Sequence, residues 1–97
     1  MRLSPDEIAA IKRAARDAFG ETVVVRLFGS RVDDGTRGGD IDLHFEVDRE
    51  IGNRELDRFE AMLFARIDEQ KVDKVFTVRG SELGLFERIC YRDGIVL

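Results

Sequence analysis

Ninety-seven residues, 43% of them apolar, suffice for one compact domain over residues 1–97 and are too few for two, so any second substrate-binding domain has to come from another chain. The charged fraction of 37% mixes both signs to a net −4, which disfavours strong generic nucleic-acid binding but leaves room for a local cluster that holds one nucleotide. The single cysteine, Cys90, excludes an internal disulfide and a cysteine-rich zinc site, and no apolar run reaches membrane-spanning length; a soluble chain in a reducing cytoplasm, with no membrane association, is expected.

Ser4-Pro5-Asp6-Glu7 carries an N-cap serine, a proline at the first helical position and a glutamate at the third, so a helix is predicted from about Pro5 to Phe19. Ile8, Ile11, Ala15, Ala18 and Phe19 form its inward stripe, and Gly20 ends it. Val23 to Phe28 is β-branched and aromatic with little alternation, as in a central strand covered on both faces. Val32 to Gly39 is polar and glycine-rich and reads as a loop over the site. A second strand is predicted over Ile41 to Val47. Asn53 is a candidate cap for a helix over Arg54 to Glu69, which returns the chain to a third strand over Val72 to Val78. A last helix is predicted from about Glu82 to Arg92, with Leu83, Phe86, Ile89 and Cys90 inward, and Asp93-Gly94 stops it. Ile95-Val96-Leu97 either adds a short strand or only packs on the sheet. The order predicts an α+β fold: a small mixed β-sheet with helices packed on one face and a polar strand face open as a groove.

The chemistry centres on Asp40 and Asp42. If Ile41 to Val47 is a strand, alternation puts Asp40, Asp42, His44 and Glu46 on one face. The two aspartate Cα atoms then lie roughly 6.5 to 7 Å apart, close enough for both carboxylates to converge on divalent cations. Mg2+ prefers hard oxygen ligands, so paired carboxylates are the fitting donors. Upstream, Gly29 lets backbone approach a phosphate, Ser30 offers an amide and a hydroxyl, and Arg31, ahead of Arg37, offers a guanidinium fork. His44 on the aspartate face reads as structural or solvated in preference to a base contact, and Cys90 as a small core residue.

Leu27-Phe28-Gly29-Ser30-Arg31, the glycine-rich loop and Gly39-Asp40-Ile41-Asp42-Leu43 together resemble the signature of the DNA polymerase β-like nucleotidyltransferase superfamily, and within it the minimal MNT-type domain. That resemblance implies a third acid on a later strand, and Lys71-Val72-Asp73-Lys74-Val75-Phe76 supplies Asp73; Asp68 is a weaker competitor near a helix end. It implies the nucleotidyltransferase fold, with catalytic and metal-binding Asp40, Asp42 and Asp73, and with Gly29, Ser30 and Arg31 holding the nucleotide. It also implies Mg2+ as cofactor and ATP as donor. MNT-type proteins are antitoxins of HEPN-type ribonuclease toxins, so the resemblance implies a hetero-oligomer in which AMP is transferred to a toxin tyrosine. Two alternatives stand beside this: an antitoxin that neutralises by binding alone, and a subunit of a small-molecule nucleotidyltransferase of the aminoglycoside type.

Overall fold

The computed structural model describes residues 3–29 and 41–97. Along the chain lie α1 (Pro5–Phe19), β1 (Val24–Phe28), β2 (Ile41–Val47), α2 (Asn53–Phe64), β3 (Val72–Val78), α3 (Leu85–Asp93) and β4 (Ile95–Val96). The strands form one mixed sheet in the order β3-β2-β1-β4. β1 is antiparallel to both β2 and β4, whereas β2 and β3 are parallel, a pairing that needs the long crossover supplied by α2. The expected α+β class and mixed sheet are therefore present, and β1 is interior, as its apolar run implied. The alternatives at the C-terminal end resolve into a strand: Ile95 and Val96 pair with β1, and the Leu97 N–H donates to the Val25 carbonyl at 2.9 Å.

α1 starts where its cap places it. The Glu7 N–H donates to Ser4 Oγ at 3.1 Å while the Ser4 N–H donates to the Glu7 carboxylate at 3.0 Å, which satisfies two of the helix's unpaired donors. Its inward stripe and that of α2 cover one face of the sheet. There Phe19, Phe45, Phe59 and Phe76 form an aromatic cluster with ring centres 5.0 to 5.3 Å apart, packed with Leu43, Leu63 and Ile11. Alternation along β2 sends Ile41, Leu43, Phe45 and Val47 into this core and leaves Asp42, His44 and Glu46 on the opposite face. Lys74, a charged residue in the core-facing phase of β3, keeps its stem inside and carries its ammonium to Glu60 of α2 at 3.0 Å.

Three local expectations are corrected. α2 begins at Asn53 behind a Gly52 cap, with the Glu55 carboxylate accepting from the Gly52 N–H at 3.0 Å, and it stops at Phe64, well short of Glu69. The Arg66 N–H turns back to the Leu63 carbonyl at 3.0 Å, tightening the end and freeing the chain to enter β3. α3 begins at Leu85, because Glu87 accepts from the Gly84 N–H at 3.2 Å and so fixes Gly84 as the cap. The polar strand face is also not an open groove along its length, since α3 lies across it. That face offers His44, Glu46 and Thr77, so α3 turns Glu87, Cys90 and Tyr91 toward it; Phe86 and Ile89, expected inward, remain 51% and 39% exposed.

Candidate functional site

Parallel pairing of β2 with β3 aligns Asp42 with Asp73. Partners in such a ladder project to the same face and sit one strand spacing apart, about 4.8 Å. On the other side of β2, Asp42 is paired with Phe28, the residue before Gly29. Three of the sequence-selected positions, Gly29, Asp42 and Asp73, thus meet at one end of the sheet. Ser30, Arg31, Asp40 and Arg37 lie outside the described residues. Asp68 is exposed in the connection after α2 and belongs to no strand.

Gly29 is glycine for two physical reasons. Its φ is +78°, a region that side-chain-bearing residues avoid, and a Cβ there would come 3.0 Å from Asp42 Cγ and closer still to a carboxylate oxygen. The missing side chain is the space that the Asp42 carboxylate uses. Asp42 and Asp73 are both partly buried, and the Asp73 side chain, 48% exposed, lies 4.0 Å from the Lys71 ammonium. Two carboxylates side by side repel, and a divalent cation held between them removes that cost. The hard-oxygen donor chemistry of the pair therefore fits Mg2+. Among the described residues no group of three or more His, Cys, Asp or Glu side chains is placed to hold a metal ion.

Beyond Asp42 the same face becomes a closed polar layer under α3. His44 is fully buried, with Nε2 2.9 Å from Thr77 Oγ1 and its ring against Tyr91, centres 5.0 Å apart. The Thr77 hydroxyl gives its one proton to Glu87, so it must accept from His44, which fixes the proton on Nε2; Nδ1 has no partner among the described residues. Burial, reinforced by the Arg26 charge, lowers the His44 pKa and keeps the ring neutral. His44 is thus a buried residue packed between Thr77 and Tyr91.

Glu46 is the hub that sequence reading missed. Its carboxylate accepts from Tyr91 Oη at 2.9 Å, Arg26 Nη1 at 3.1 Å and Arg79 Nε at 2.8 Å, and the Arg26 guanidinium lies 4.2 Å from the Tyr91 ring centre. Burial opposes ionisation of Glu46, but these three donors outweigh it and hold its carboxyl below the usual range. The available signal was the alternation of β2, whose polar phase carries Glu46; β1 gave none, because Arg26 shares its face with Val24 and Phe28.

No protein-family model matches the chain, and no curated protein matches it. Among the described residues no helix is long and apolar enough to cross a membrane.

Proposed function

We propose that the protein is a Mg2+-dependent nucleotidyltransferase of the minimal MNT type, an antitoxin that moves AMP from ATP to a tyrosine hydroxyl of a HEPN-type toxin in the cytoplasm. The observation that carries the reading is the register of Asp42 against Asp73 on adjacent parallel strands beside Gly29. A third acid was expected on a later strand, and Asp73 is the acid that stands level with Asp42.

Asp42 and Asp73, with Asp40, would hold Mg2+. Bound there, the ion supplies neutralisation of triphosphate charge and acidification of the attacking hydroxyl. Asp73 is the group assigned to receive the hydroxyl proton as the new O–P bond forms and pyrophosphate departs with the old one. Gly29 keeps the backbone close enough for phosphate oxygens to approach, and Ser30 and Arg31 are assigned to the β and γ oxygens.

A second reading, neutralisation by binding alone, is favoured by the exposed apolar side chains Leu85, Phe86 and Ile89 on α3. Incubation with α-labelled ATP, Mg2+ and the cognate HEPN-type partner separates the two. Transfer of label to that protein, lost in Asp42→Asn and Asp73→Asn, is the expected result. Neutralisation without any transfer, retained in both variants, would replace the enzymatic reading with the binding one.

A further inference from the structure

We infer that Phe86 is the platform on which the nucleobase of the donor nucleotide stacks, an inference that rests on the nucleotidyl-transfer reading of the acid pair. Phe86 lies on α3 but is not part of the polar layer beneath that helix: it is 51% exposed. Its ring meets that of Phe28 nearly at right angles, 79°, with centres 5.5 Å apart. Such a contact occupies at most one face of the Phe86 ring and fixes its orientation, so an aromatic face stays presented to solvent.

Position gives this face its meaning. Phe28 precedes the Gly29 turn and is the cross-strand partner of Asp42, so the two side chains share one face of the sheet. One strand spacing and one ring contact separate Phe86 from the acid pair, about 10 Å in all, within the span of a nucleotide whose phosphates lie at Asp42. The aromatic pair is therefore where a base projects when its triphosphate is held by Gly29 and the acids. Base–aromatic stacking uses a π-face that every base has, so Phe86 contributes affinity without choosing among bases.

Calorimetric titration with ATP, GTP and inorganic tripolyphosphate, each with Mg2+, tests this. In the native protein ATP and GTP should both bind more tightly than tripolyphosphate. Phe86→Ala should weaken both by roughly tenfold, toward the tripolyphosphate value, and leave tripolyphosphate itself unchanged. Phe86→Trp should restore ATP binding, which a merely structural role for the side chain would not produce. An unchanged ATP affinity in Phe86→Ala, or an equal loss for ATP and tripolyphosphate, overturns the platform while leaving the transfer reading intact. No binding of any of the three by the native protein overturns the transfer reading, and the platform with it.

Discussion

Gly29 shows how one residue ties the backbone to the candidate chemistry. Alanine at that position meets a left-handed φ and drives a methyl group into the Asp42 carboxylate. The backbone penalty is about 1 to 2 kcal/mol, while the displaced carboxylate affects the site directly. Gly29→Ala is therefore expected to lower the urea midpoint modestly and to reduce Mg2+-dependent activity far more, a split read by measuring both on one sample. Equal loss of stability and activity would mean that Gly29 serves the fold alone. Of this site, the residue types and the strand carrying Asp73 were legible in the sequence. Its register against Asp42 was not, because alignment of two parallel strands is set by how α2 packs between them, through Phe59 and Leu63 in the shared core.

At the scale of elements, legibility follows the locality of the signal. α1 has its boundaries as read, since its cap and its glycine stop are local chemistry. Ser4→Ala should cost about 0.5 to 2 kcal/mol by denaturant unfolding, with no change in nucleotide binding, because the cap bonds join only Ser4 and Glu7, neither of which is assigned to the site. β2 was equally legible, since its period of two is strict. α2 and α3 were misjudged at their ends for a tertiary reason. Periodic apolar residues continue past Phe64 and begin before Leu85, but the chain must leave one helix to enter β3 and must leave β3 before α3 can settle on the sheet. The inward face of α3 was likewise hidden, because its choice of Glu87 and Tyr91 over Ile89 answers a polar sheet face that lies far away in sequence.

Across the whole molecule, the sheet has two unlike faces: an aromatic core beneath α1 and α2, and a polar layer beneath α3 that ends at the acid pair. The polar layer makes stability pH-dependent. The folded-state pKa of Glu46 is depressed, so its contribution is complete above the ordinary carboxylate range and is lost as pH falls through the folded-state value. Thermal melts of the native protein should therefore show a fall in Tm on the acid side, and Glu46→Gln should start lower at neutral pH and show a shallower fall. An identical acid slope in the variant would assign the effect to other carboxylates. The layer also holds α3 on the sheet, and thereby keeps Phe28 and Phe86 together beside Asp42.

That juxtaposition of acids is the centre of the proposed chemistry, and a paramagnetic ion reports on it directly. Mn2+ is titrated in the presence of ATP into the native protein and into Asp42→Asn, Asp73→Asn and Asp68→Asn, and bound ion is read by electron paramagnetic resonance. The expected result is a bound Mn2+ signal in the native protein and in Asp68→Asn, and its loss in both Asp42→Asn and Asp73→Asn. Equal binding in the native protein and Asp73→Asn, or no ATP-dependent binding in any of the four, would contradict the assignment of Asp42 and Asp73 as a shared metal site.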